Sequence, residues 1–152
     1  MNQEQAILLV EDSDDDAELT RLAFKQARIF NPLVRVRDGV EALDYLFCRG
    51  EHAARNIDER PAVVLLDLNL PRIGGLEVLT AIRADPRTCH LPVVVLTSSD
   101  EERDRIAAYS RFANSYVRKP VDYDQFFGAA RELGLYWLVL NRPAPNGGSV
   151  SG

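Results

Sequence analysis

Cysteine is scarce: Cys48 and Cys89 are the only two, far apart and outside any CxxC or Cys/His spacing. That pattern excludes a disulfide framework and a zinc site, and leaves two reduced, apolar side chains. Histidine is equally sparse. His52 and His90 sit in polar connections with no second His or Cys placed to share a metal, so both are expected at the surface. Long apolar runs are missing as well. None approaches the roughly 20 residues that a membrane helix needs, and no membrane contact is expected. The start, MNQEQAILLVEDSDDD, has neither a basic n-region nor a long apolar h-region. It does not look like a secretion signal, and a cytoplasmic location is expected. Positive charge is in deficit, with 18 Lys and Arg against 23 Asp and Glu and a net charge of -5. Such a chain has poor long-range attraction for phosphate backbones, so no nucleic-acid partner is expected. No GxxxxGK(S/T) loop is present to cradle a nucleotide.

What is there is globular in composition: 46% hydrophobic and 27% charged residues in a chain of 152. That length corresponds to about one domain, able to bury roughly two-thirds of its unfolded surface. The domain is expected to span 1–141. Residues 142–152, which include PAPNGGSVSG, read as a flexible tail.

Three short runs are wholly apolar: Ala6 to Val10, Ala62 to Leu66 and Val93 to Leu96. Runs without a polar face suit strands covered on both sides, as in parallel sheets. Leu33 to Arg37 alternates, and a weaker fifth segment surrounds Ser115 to Val117. Helical patterns lie between them. Ser13 can cap a helix whose first turn holds Asp14, Asp15 and Asp16, where the helix dipole favours acids. Its apolar stripe reads Ala17, Leu19, Leu22, Ala23 and Phe24, and Asn31-Pro32 stops it. A second stripe (Val40, Ala42, Leu43, Leu46, Phe47) follows Asp38-Gly39, and a third (Leu76, Val78, Leu79, Ile82) follows Gly74-Gly75. Ile106, Ala107 and Tyr109 mark a fourth, weaker helix, and Phe126 to Leu140 a fifth. The segment from Cys48 to Pro61 is long and charged, and reads as a surface loop. Five β-α units mean an α/β fold with a mainly parallel sheet.

Doubly wound sheets bind ligands beyond the carboxyl ends of their strands, at the switch in strand order. The first strand here ends in Glu11-Asp12, the third in Asp67, the fourth in Thr97 and the fifth in Lys119-Pro120. Asp14, Asp15 and Asp16 read mainly as helix-start charge, with enlargement of this acidic rim as the alternative. In the order 2-1-3-4-5, strands one and three are neighbours, so the acids would be too. Singly, each residue reads as a solvated loop position or a helix cap. Together they make three carboxylates that repel one another unless a cation compensates. Oxygen ligands without His or Cys suit Mg²⁺, which keeps several waters.

These motifs, LLVEDS, LLDLNLPRIGG, VVVLTSS and YVRKP in this order, resemble the receiver domain of two-component response regulators, from about Ala6 to Leu140. The stretch DGVEALDYLFCRGEHA, with the lengthened loop after it, resembles the stand-alone phytochrome-associated receivers in particular. The resemblance implies a flavodoxin-like (βα)5 fold. It implies that Asp67 accepts a phosphoryl group from a histidine kinase, one of phytochrome type by that subfamily likeness, with Mg²⁺ or Mn²⁺ held by Glu11, Asp12, Asp67 and the backbone carbonyl of Asn69. Thr97 and Lys119 would then bind the phosphoryl group. Tyr116 would act as the switch aromatic, and Lys119-Pro120 would be a cis peptide. Glu11 stands where many receivers have Asp. Such a protein is not an enzyme for outside substrates. Dehalogenase-type phosphatases, the enzymatic rival, need a second Asp two residues after the nucleophile, where Asn69 stands. The other alternative is a phosphate-independent receiver-like binding module, but such modules usually lack an acid or the lysine.

No output domain is expected after the fifth helix, so output should be a protein contact or relay to a downstream phosphotransfer protein. Leu135, Tyr136, Trp137, Leu138, Val139 and Leu140 would wrap a helix on every side with apolar residues. A surface helix buries only a stripe, so part of this run is expected to form a homodimer surface.

Overall fold

Apolar strands need cover on both faces, and the alternation of strands with helices supplies it. In the computed structural model, which describes residues 5–70, 72–98 and 115–132, five strands form one parallel sheet. They are β1 (Ile7–Val10), β2 (Leu33–Val36), β3 (Val63–Asp67), β4 (Val93–Thr97) and β5 (Ser115–Arg118). Their order is β2-β1-β3-β4-β5, the doubly wound order that the sequence predicts. Helices α1 (Asp14–Gln26), α2 (Gly39–Leu46), α3 (Gly75–Ala84) and α4 (Tyr123–Glu132) cover it. Every residue of β1, β3 and β4 is buried.

Side chains alternate between the faces of a strand, which divides the core in two. Ile7, Leu9, Val63, Leu65, Val94 and Leu96 pack with Ala17 and Phe24 of α1 and Phe126 and Ala129 of α4. Leu8, Val10, Val64, Leu66, Val93 and Val95 pack with Ala42 and Leu46 of α2 and Val78, Leu79 and Ile82 of α3. Phe24 and Phe126 meet with ring centroids 4.6 Å apart, joining α1 to α4.

The cap residues act as their types suggest. Ser13 Oγ accepts from the Asp16 amide at 3.2 Å, and Asp38 Oδ1 accepts from the Glu41 amide at 2.8 Å. Two expectations need correction. The buried face of α1 is Ala17, Thr20, Ala23 and Phe24, while Leu19 and Leu22 point outward at 47% and 43% exposure. Phe24 of that face packs on Phe126. His52 is not simply at the surface. Its ring meets Tyr45 edge-on at 5.2 Å, and its Nε2 lies 3.4 Å from Glu41 Oε2. The long charged connection is a surface loop, as expected, with no fully buried residue between 51 and 60. A 3₁₀ turn (Gly50–His52) opens it, and Arg55 stacks on the Tyr45 ring at 3.8 Å while donating to the carbonyls of Tyr45 and Glu59. Both cysteines are free, and His90 is exposed. The predicted fourth helix around Ile106, Ala107 and Tyr109, the run Leu135 to Leu140 and the tail 142–152 lie outside the described residues.

Candidate functional site

Register brings the four strand ends to one rim. Val10 and Leu66 are partners across β1 and β3, so Glu11 and Asp67, each the next residue, lie side by side. Asp67 is level with Leu96, which places Thr97 one residue further along its neighbour. Thr97 pairs with Arg118, and the Lys119 amide donates to the Thr97 carbonyl at 2.8 Å. Asp67 and Thr97 are thus the last residues of their strands, as the sequence reading has them.

The Lys119 ammonium sits at the centre of the rim. Its Nζ is 3.1 Å from Glu11 Oε1, 3.1 Å from Asp67 Oδ2 and 2.9 Å from Asp16 Oδ2. Glu11 is fully buried and Asp67 is 2% exposed, whereas Asp12 is exposed. Glu11, Asp12 and Asp67 each present a carboxylate oxygen within 4.8 Å of the others. Asp67 Oδ1 accepts from the Asn69 amide at 3.1 Å, which orients the carboxylate. Glu11 Oε2 accepts from the Ser13 amide at 3.3 Å. Burial, and next the Asp67 charge, push the Glu11 carboxyl up to about 7 against the pull of Lys119. For Lys119, burial works against the charged form, but the Asp16 hydrogen bond and the charges of Asp67 and Glu11 outweigh it and hold the ammonium above its ordinary range.

This donor set fits a hard divalent cation. It consists of carboxylate oxygens from three residues, with no nitrogen or sulfur. Glu11 Oε1 is buried and accepts no well-formed hydrogen bond among the described residues, although the ammonium is 3.1 Å away. A buried carboxylate oxygen in that condition is costly and would gain from a cation.

The other predicted residues lie as follows. Thr97 is 2% exposed at the end of β4. Tyr116 is half-buried, level with Val95, on the same sheet face as Thr97 and against the core under α2 and α3. The Lys119-Pro120 peptide is cis. Asn69 is exposed on the loop after β3. That loop folds back so closely that the Gly75 amide donates to the Leu68 carbonyl at 3.1 Å, and Arg72 reaches Asp38 at 3.3 Å. One member of the site was not predicted, and another was only the second reading of its segment. Asp16 reads in the sequence first as helix-start charge and second as an extension of the acidic rim, and it joins Lys119. Arg35, in an alternating strand, donates from Nε to the Glu11 carbonyl at 2.9 Å and from Nη1 to Asp14 at 2.7 Å, pinning the turn that carries the acids. The capping position of Ser13 shows in the sequence that Asp16 belongs to the first turn of α1. Nothing in the sequence shows that this turn abuts β5.

Comparison with known proteins bears on the same residues. The family model described as response regulator receiver domain matches residues 7–131. The probable methanogenesis regulatory protein FilR2 of Methanothrix harundinacea (strain 6Ac) is 41% identical over 140 residues, which cover 91% of this chain and 88% of that protein. Response regulator Rcp1 of Synechocystis sp. is 39% identical over 137 residues, covering 90% of this chain and 91% of that protein. Among solved structures, the bacteriophytochrome response regulator RtBRR superposes with a TM-score of 0.84 at 48% identity, over 93% of this chain and 84% of that one. The Mn²⁺-bound form of Rcp1 superposes with a TM-score of 0.69 at 39% identity, over 88% of this chain and 94% of that one.

Proposed function

The chain belongs to the response regulator receiver domain family, and from that membership we propose that it is a signalling switch set by phosphorylation of Asp67. The observation that carries the reading is the buried Asp67 carboxylate held 3.1 Å from the Lys119 ammonium, with Glu11 and Asp12 beside it.

In this reading a histidine kinase presents a phosphohistidine at the rim. Asp67 is the nucleophile. Its oxygen forms a bond to phosphorus while the bond from phosphorus to the imidazole nitrogen breaks, and that nitrogen keeps the electron pair. Such a transfer needs positioning and charge neutralisation more than covalent chemistry by the protein. The Asn69 amide fixes the angle of the attacking carboxylate. Glu11, Asp12, Asp67 and the Asn69 carbonyl would hold Mg²⁺ or Mn²⁺, which would supply positive charge to offset the phosphoryl oxygens. Lys119 supplies the second positive charge and Thr97 a hydroxyl hydrogen bond. Phosphorylation adds about two negative charges at a site already short of cations. Thr97 moves toward the phosphoryl group, and Tyr116, on the same face, follows it. These two form the two-state element that the charge biases. Asn69 cannot exchange a proton as an acid or base, so hydrolysis of the chain's own phosphoryl group is slow.

The likeness to RtBRR and Rcp1 supports a phytochrome-type kinase as partner. Output is a changed protein contact, in a homodimer or through a downstream phosphotransfer protein. No described helix is long and apolar enough to cross a membrane, and the reading places the protein in the cytoplasm.

The test is intact mass after incubation with Mg²⁺ and acetyl phosphate, on wild type and Asp67→Asn. Gain of one phosphoryl group by wild type alone is expected. No gain, even with phytochrome-type kinases, would favour a phosphate-independent binding module.

A further inference from the structure

The ammonium of Lys119 has three hydrogens, and three carboxylates surround it: Glu11, Asp67 and Asp16. If Lys119 is to meet a phosphoryl oxygen, one of those contacts must yield. Glu11 and Asp67 are 0% and 2% exposed, and leaving either without its cation would strand a buried charge. The Asp16 side chain is 35% exposed and can take water instead. Yet its contact is the shortest of the three, at 2.9 Å.

Asp16 is also anchored. Its amide donates to the Ser13 cap, and two residues earlier in the same turn Asp14 is tied at 2.7 Å to Arg35 of β2 and at 2.9 Å to Arg37 just beyond it. The first turn of α1 is therefore stitched to β2, and Asp16 cannot follow Lys119 inward. It adds one more negative charge beside an incoming anionic donor.

We propose that Asp16 is a positioning residue that restrains phosphoryl transfer to Asp67, by holding the Lys119 ammonium at the rim in competition with the incoming phosphoryl oxygens. This rests on the reading of Asp67 as acceptor. With acetyl phosphate as donor, the Asp67 oxygen bonds to phosphorus, the bond from phosphorus to the acetyl oxygen breaks, and acetate leaves with the electron pair. No proton moves. Asp16 touches neither reacting atom and acts only through Lys119. The competition is strongest at low ionic strength, where a part-exposed ion pair is least screened.

The test measures initial phosphorylation rates with acetyl phosphate and Mg²⁺ on the full chain, at low and high salt. Asp16→Asn should react about two- to fivefold faster at low salt, the size of a part-exposed ion pair, and the gain should shrink as salt rises. Asp16→Glu, which restores the charge, should bring the rate back toward wild type. A merely structural role predicts the reverse, a slower Asp16→Asn, and that result or an unchanged rate overturns the proposal. A second arm needs no phosphorylation. A double-mutant cycle of Asp16→Asn and Lys119→Met on urea unfolding, in chelator, should show a coupling of about two- to fivefold in the folding equilibrium. Absence of coupling overturns the contact itself. If wild type takes no phosphoryl group, the switch reading fails and the rate role falls with it, while the cycle still shows whether Asp16 holds Lys119.

Discussion

Glu11 is the residue whose chemistry folding alters most. In the unfolded chain its carboxyl ionises near 4.5, whereas in the folded, metal-free rim it keeps its proton to about 7. Between those values the native state binds the extra proton, so stability falls as pH rises. The contribution of Glu11 is fully present below about 4.5 and lost as pH passes about 7. In chelator, wild type should therefore lose urea resistance across that window relative to Glu11→Gln. A difference between the two proteins that stays flat with pH would contradict this account. A divalent cation competes with that proton for the carboxylate, so its apparent affinity should drop about tenfold per pH unit below the raised value. Glu11, Asp67 and Thr97 were legible because each stands directly after an apolar run, and Asp12 and Lys119 lie within two residues of one. Asp16 was less legible, its rim role only the second reading, because a carboxylate in the first turn of a helix explains itself by the dipole and asks for no partner.

At the scale of elements, the β3–α3 loop holds the candidate acceptor in place. Gly75 closes it. A Cβ there would lie 2.8 Å from Leu68 Cα and closer still to the Asp67 carbonyl oxygen, and both are backbone that cannot swing aside. Gly75→Ala should cost about 1–3 kcal/mol and slow phosphorylation of Asp67, with urea unfolding and initial rates as the two measurements. A stable variant that also reacts at the wild-type rate would show that the loop tolerates the shift. The strands were the most readable elements, since β1, and β3 and β4 up to their last residues, are apolar and lie within a residue of where their runs begin and end. The face of α1 was less readable. Leu19 and Leu22 are more hydrophobic than Thr20, yet Thr20 is buried because its hydroxyl donates to the Asp16 carbonyl at 3.0 Å. An internal bond of that kind makes burial cheap in a way that no hydrophobicity pattern records. The connection from Cys48 to Pro61 is the surface loop that its length and charge suggest, and what the sequence does not show is that Arg55 lays its half-buried guanidinium on Tyr45 and two carbonyls.

For the whole molecule, the sequence of Leu135 to Leu140 calls for a partner, and a homodimer is expected. Light scattering on a size-exclusion column should report about twice the monomer mass at high micromolar concentration, and Trp137→Glu with Leu140→Glu should return the monomer. A monomeric wild type at that concentration would remove the dimer from the proposed output. The sequence by itself determined the fold class and which residues end each strand. Those follow from local patterning, namely short apolar runs, caps and punctuation by Gly and Pro, which acts within a few residues of chain, whereas the strand order came from the likeness to doubly wound receiver domains. Only the tertiary structure decided which charges meet. Lys119 is 108 residues from Glu11 and 52 from Asp67, and its third partner, Asp16, belongs to a helix whose rotation depends on how Phe24 meets Phe126. Coulomb energy depends on separation in space and on burial, and neither quantity exists until the sheet has placed its strand ends on one rim.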